Sequence, residues 1–239
     1  MANNRMNILL FAYNFRHQKS IDFIYKLKEN NITISAIIAA DYVEIKRPEK
    51  VIKIPSKSPC KEHPLDLANR FNIPYFVLNH NSNSVVDIVK KYSIDLGVIA
   101  GARILEYKII KLFNRGILNF HPALLPECRG LDSILWSIYN NYPLGVTSHL
   151  INQKIDAGNL VIKNKIKILS HDNLFSIHKK IYNLQLDLII PSLNKLFLNR
   201  SLQTLEDQDS YNTYMPEYLQ EEVIENLDSY INFFSEQNE

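Results

Sequence analysis

The sequence predicts an α/β fold, a mostly parallel sheet with flanking helices, on three observations. Short β-branched runs alternate with longer stretches of helical periodicity, the chain opens strand–helix–strand, and 46% of its 239 residues are hydrophobic, enough to cover both faces of a sheet. The first strand is read over 6–12, the first helix over 20–30 with Phe23, Ile24 and Leu27 on its apolar side, and the second strand over 32–40. An irregular, basic, proline-containing connection follows over 46–64. Beyond it the pattern gives a helix over 65–71, an extended run over 75–78, a helix over 84–92, a strand over 96–100, a helix over 105–113 and a strand over 116–120. This alternation is Rossmann-like, and it places ligands beyond the carboxyl ends of the strands.

The second half continues with a helix over 131–141, a strand over 145–151 and a longer alternating strand over 159–168. A helical pattern over 172–198 contains Pro191, which should kink or interrupt it. After Arg200 the periodicity loosens into a polar, strand-like stretch. A last helix then aligns Leu219, Val223, Leu227, Ile231 and Phe234 in one stripe, which must pack on this chain or on a second copy. The chain therefore reads as a catalytic domain over 1–200 and a short C-terminal strand/helix extension over 201–239.

Composition narrows the function classes. Lys plus Arg 27 against Asp plus Glu 25 leaves a net charge of +2 without a basic block, so nucleic acid is not an expected partner. The N-terminal apolar run is too short for a signal peptide, and no stretch reaches membrane-spanning length, so a cytoplasmic protein with no membrane partner is expected. Cys60 and Cys128 are far apart and lack metal-ligand neighbours. Ordinary thiols in a reducing compartment, and no metal site, are the expectation.

The first turn, AYNFRHQKS, has no glycine, so its backbone cannot approach a pyrophosphate as a GxGxxG loop does. Asp41, at the end of the second strand, is accordingly read as a solvated turn residue. His149 reads as a packed or hydrogen-bonded structural imidazole, Trp136 as core, and His17, His63, His80, His171 and His178 as surface. The loop NFHPALLPECRG is different. Asn119 and His121 stand two apart and share a face if strand geometry persists, while Pro122 and Pro126 stiffen the backbone that follows. An amide donor and an imidazole on one face can hold an oxyanion and move a proton. Asp156, in a short connection between two strands with Gly158 behind it, is a carboxylate that could orient His121, although a turn aspartate bonding its own backbone fits the same pattern.

NFHPALLPECRG followed by GVTSHLINQKIDAG resembles the N10-formyltetrahydrofolate-dependent formyltransferases, over about 98–160. The resemblance implies that Asn119, His121 and Asp156 are the catalytic set and N10-formyltetrahydrofolate the co-substrate. It also implies that the segment AGARIL binds the pteridine ring through backbone groups near Arg103, Ile104 and Leu105. An amine would attack the formyl carbon, Asn119 and protonated His121 would hold the oxyanion, and Asp156 would orient His121 and help to remove the amine proton.

Departures from the family pattern point to the acceptor. The glycine- and serine-rich phosphate loop of the glycinamide ribonucleotide enzymes is missing, 201–239 is short for the RNA-binding domain of the methionyl-tRNA enzymes, and 1–8 leaves no room for the regulatory domain of the hydrolases. The chain is most similar to the nucleotide-sugar N-formyltransferases, with a Tyr-bearing segment, DSYNTYMPEYL, after the catalytic domain. That likeness implies dTDP-4-amino-4,6-dideoxyglucose or a near relative as acceptor, a product for lipopolysaccharide O-antigen, and a homodimer using the last apolar stripe. For the substrate diphosphate, Arg16 with His17 and Lys19, or Arg129 beside the loop, are the candidate cations.

Overall fold

The computed structural model describes residues 6–52, 60–198, 201–206 and 210–237. The expected boundary beside Asn199 and Arg200, and part of the basic connection over 46–64, lie outside the described residues. In chain order the elements are β1 (Ile8–Tyr13), α1 (Gln18–Glu29), β2 (Ile34–Ala40), α2 (Pro64–Arg70), β3 (Tyr75–Val77), α3 (Ser84–Lys91), β4 (Leu96–Ile99) and α4 (Tyr107–Ile110). There follow β5 (Ile117–His121), α5 (Ser133–Tyr139), β6 (Gly145–Leu150), β7 (Asn159–Lys165), α6 (Leu174–Asp187), α7 (Ile189–Phe197), β8 (Gln203–Thr204) and α8 (Glu217–Glu236).

The strands form one sheet in the order β3-β2-β1-β4-β5-β6-β7-β8. It is mixed: β3 to β5 pair parallel, whereas β6, β7 and β8 join antiparallel. The central strands are largely apolar because both faces are covered, and the polar exceptions on β5 are Asn119 and His121 at its carboxyl end. On β1, Ile8, Leu10 and Ala12 enter the core under α1, α6 and α7, while Leu9 and Phe11 enter the core on the other side with Val85 of α3 and Ile109 of α4. Strand order reverses at β1, which has β2 on one side and β4 on the other, so the crevice for ligands opens at the carboxyl ends around β1, β4 and β5.

Three elements differ from expectation. The helix expected over 105–113 shrinks to the four residues of α4, because Asn81 fixes the chain ahead of it: its side chain donates to the Ile104 carbonyl at 3.0 Å and accepts from the Glu106 N–H at 2.8 Å. The break expected near Pro191 falls at Leu188, between α6 and α7. Pro191 then sits in the first turn of α7, where its missing N–H has no helical partner to lose.

The third difference concerns the C-terminal stripe. Val223, Ile231 and Phe234 are buried in this chain's own core, with Leu219 and Leu227 packed against it. Tyr230, 2% exposed, donates its hydroxyl to the Tyr142 carbonyl at 2.8 Å, and α8 lies against α5. The stripe is therefore covered within one copy, and the expectation of a dimer loses the surface on which it rested. Among the described residues no helix is long and apolar enough to cross a membrane.

Because α8 belongs to the core, Ile231→Ala is expected to cost about 2–5 kcal/mol of stability, the range for truncating a buried isoleucine. Denaturant titration checks this. A cost below about 0.5 kcal/mol, the size of an ordinary surface substitution, would mean that α8 is not packed in this way.

Candidate active site

Asn119 and His121 occupy the carboxyl end of β5, and the antiparallel partner β6 sets His149 opposite Asn119 and Thr147 opposite His121. Cross-strand partners share a face, so Asn119 and His149 meet: Asn119 Nδ2 lies 3.2 Å from His149 Nε2. The other ring nitrogen, Nδ1, is 3.0 Å from the Ala157 carbonyl. A carbonyl only accepts, so Nδ1 carries the proton, and the bare Nε2 accepts from the Asn119 amide. This arrangement decides which way the amide points and leaves its second N–H for a ligand.

Asp156 enters from the connection between β6 and β7. Its backbone is left-handed, with φ 45°, and Gly158 two residues on has φ 108°. A Cβ at Gly158 would stand 2.1 Å from the Leu150 carbonyl oxygen, so only glycine closes this turn. The carboxylate reaches His121 Nδ1 at 3.3 Å and His149 Nε2 at 3.8 Å through Oδ1, and accepts the Gly130 N–H at 2.8 Å through Oδ2. Burial opposes its charge. The charge and hydrogen bond of His121, together with His149 and the Gly130 N–H, prevail and hold the carboxyl at about 2. His149 is pushed the other way, to about 4, by burial that the nearby carboxylate only partly offsets. At neutral pH the site therefore holds an ionised Asp156 and a neutral His149.

His121 is 4% exposed and donates from Nε2 to the Cys128 carbonyl at 2.8 Å while Nδ1 faces Asp156. Both ring nitrogens face acceptors. For Nε2 to serve a ligand, the ring must exchange the Cys128 carbonyl for it. The stiff loop after His121 is fastened by Thr147, whose hydroxyl donates to the Ala123 carbonyl at 2.8 Å and accepts the Leu125 N–H at 3.0 Å.

The remaining predicted residues divide. Arg129 is neither solvated nor directed at the crevice: it is 4% exposed and donates from Nε and Nη2 to the Ile155 carbonyl, at 2.9 and 2.5 Å. It thereby anchors the turn that carries Asp156. Arg16 is exposed in the loop between β1 and α1. Arg103 is exposed at the carboxyl end of β4 and donates to the Val43 carbonyl at 3.1 Å; Ile104 is 72% exposed, and Leu105 is buried. Asp41 is exposed as expected, and Trp136 is half-buried with its indole N–H on the Thr213 carbonyl.

Histidine was the residue type least legible in the sequence. His149 is buried and hydrogen-bonded, as expected of a structural imidazole; what the sequence did not show is that its register partner is Asn119. His80 is buried, not surface, and its Nε2 lies beside the Ala12 and Ile38 carbonyls of β1 and β2. His17 and His63 cap α1 and α2, and His178 is half-buried with an unpartnered Nε2.

A family profile described as formyl transferase matches residues 22–193. The chain belongs to this family, whose formyl donor is N10-formyltetrahydrofolate. Among curated relatives it is 29% identical over 187 residues to a methionyl-tRNA formyltransferase of Prochlorococcus marinus, covering 76% of this chain and 54% of that protein. A methionyl-tRNA formyltransferase of Fusobacterium nucleatum is 27% identical over 176 residues, covering 73% and 53%. The chain spans about half the length of the curated relatives it matches.

Solved structures share the fold at low identity. A sugar N-formyltransferase from a Shewanella species superposes with a TM-score of 0.60 at 20% identity, covering 87% of this chain and 76% of that one. A 4-N formyltransferase from Francisella tularensis gives 0.61 at 18%, covering 87% and 77%. A phosphoribosylglycinamide formyltransferase from Anaplasma phagocytophilum gives 0.63 at 18%, covering 88% and 100%.

The buried imidazoles predict a pH dependence of stability. His17, His149 and His178 are each lowered by burial from 6.5 to about 4. Between those values the unfolded chain binds more protons than the folded one, so stability is expected to fall as pH drops from 6.5 to 4. Asp156, lowered from 3.8 to about 2, adds a further loss as pH falls through that lower window. Denaturant titrations across pH 7 to 4 check the first part, and a flat profile would contradict it.

Proposed function

We propose that this chain transfers the formyl group of N10-formyltetrahydrofolate to the amine of a nucleotide-linked amino sugar, with dTDP-4-amino-4,6-dideoxyglucose as the acceptor. The observation that carries the reading is the set of Asn119, His121 and Asp156 at the carboxyl end of β5, with His149 fixing the amide. Binding alone requires no such set. In the proposed reaction the amine nitrogen bonds to the formyl carbon, and the carbonyl oxygen becomes an oxyanion that accepts the free N–H of Asn119. The bond from that carbon to N10 then breaks. The amine gives up a proton towards His121 and Asp156, and N10 gains one.

No nucleophilic side chain is needed, because donor and amine held in line already avoid most of the entropic cost of a bimolecular encounter. Ile104, exposed at the rim beside β4, offers apolar surface of the kind a flat ring covers, and Arg103 and Leu105 flank it in the proposed folate segment. A product of this class suits a surface polysaccharide such as an O-antigen, assembled from activated sugars in the cytoplasm. Support for a sugar acceptor comes from the glycine-free first loop and from the likeness to proteins named sugar N-formyltransferases. Methionyl-tRNA is the second reading, favoured by the names of the curated relatives. The net charge of +2, without a basic block, weighs against it.

Release of tetrahydrofolate, followed with dTDP-4-amino-4,6-dideoxyglucose, its 3-amino isomer, glycinamide ribonucleotide and methionyl-tRNA in turn, tests the reading. Turnover with a nucleotide sugar alone is expected; turnover only with methionyl-tRNA or glycinamide ribonucleotide would overturn the sugar assignment. Asn119→Ala is expected to fold normally and lose about a hundredfold or more in kcat, the loss typical of one oxyanion donor. A folded variant with near-normal kcat would remove Asn119 from the mechanism.

A further inference from the structure

The loop between β1 and α1 lacks the glycines that would let its backbone hold a phosphate, yet its surroundings supply another means. Tyr13 and Phe15 stack with centroids 5.0 Å apart and planes at 17°, and Tyr42 sets its ring edge-on to Phe15 at 5.8 Å while remaining 70% exposed. Two exposed guanidinium groups flank this aromatic surface. Arg103 is held there by the Val43 carbonyl, and Arg47 lies over the Tyr214 ring with its carbon 5.5 Å from the centroid. Both charges act on the Tyr13 phenol, opposing the rise that burial causes, so both are within electrostatic reach of one ring.

Among the described residues neither arginine has a carboxylate within 4.0 Å, although the chain carries 25 Asp and Glu. Two exposed guanidinium groups beside one aromatic surface and without a counter-charge are matched by an anion, and planar forks suit phosphate oxygens. The position agrees with the crevice. Tyr13 ends β1, two strand spacings or about 10 Å from β5, a span that a sugar and its phosphates would bridge. On the far side, Tyr214 is two residues from Asn212, whose backbone pairs with Arg129 and Leu131 around the Gly130 N–H that holds Asp156.

We propose that Arg47 and the side chain of Arg103, whose backbone stays with the proposed folate segment, form with the aromatic surface of Tyr13, Phe15, Tyr42 and Tyr214 the site for a nucleoside diphosphate, the arginines on its phosphates and an exposed ring against its base. This rests on the reading of the acceptor as a nucleotide-linked sugar, and names the residues that recognise its nucleotide. It replaces Arg129, which is committed inside the protein. Side-chain cations and ring faces here take the place of backbone N–H groups.

Calorimetric titration of the full chain with dTDP alone, and separately with a folate diglutamate, tests the site. Arg47→Ala and Arg103→Ala are each expected to weaken dTDP at least about tenfold, the scale of a charge-assisted hydrogen bond, with unchanged melting temperature. Folate affinity of Arg47→Ala should match the wild type. No dTDP binding by the wild type, or unchanged dTDP affinity in both variants, overturns the inference. So does a loss confined to the folate, which would assign the arginines to its glutamyl carboxylates. Failure of the acceptor reading is separate: it appears as wild-type protein that releases no tetrahydrofolate with any nucleotide sugar, whatever the titrations give.

Discussion

One partly buried carboxylate organises the centre of this protein. Asp156 is ionised in a place where burial disfavours charge, and it stays so because His121, His149 and the Gly130 N–H surround it. Such an ion is destabilising unless its partners are held in place. Each partner is held by something else: His121 by the Cys128 carbonyl, His149 by the Ala157 carbonyl, and Gly130 by the peptide of Asn212. Even the turn that presents Asp156 is fastened, by Arg129 on the Ile155 carbonyl and by a glycine that tolerates no Cβ.

The architecture explains why these pieces come together. Parallel strands bring β5 to the carboxyl edge where the crevice opens, and the antiparallel hairpin of β6 and β7 then returns a histidine and an aspartate to the same edge. A purely parallel sheet would need a long crossover between those strands. The short connection keeps Asp156 within reach of β5. The segment after β8 closes the other side, since Asn212 bridges Gly130 and Trp136 donates to Thr213.

Much of this was legible in the sequence, for identifiable reasons. The central strands are largely apolar and the helices amphipathic, so the succession of elements along the chain emerged from periodicity alone. Asn119 and His121 were visible because prolines stiffen the loop behind them, and Asp156 because Gly158 marks its turn. Other features depend on contacts that no local pattern encodes. Asn81 shortens α4 from 25 residues away in sequence. The partner of His149 stands on another strand, and whether the stripe of α8 packs on this chain or a second copy stayed open because its cover, α5, lies far back in the chain.

The most direct test is of ring protonation around Asp156. Long-range proton–nitrogen spectra of the histidines, recorded from pH 7 to 4, should show His149 neutral, with its proton on Nδ1 and a bare Nε2, until the pH approaches its lowered value of about 4. In Asp156→Asn, where the carboxylate that partly offsets burial is gone, the ring should resist protonation to still lower pH. A His149 that carries its proton on Nε2, or is already charged at pH 6.5, could not accept the Asn119 amide and would contradict the account.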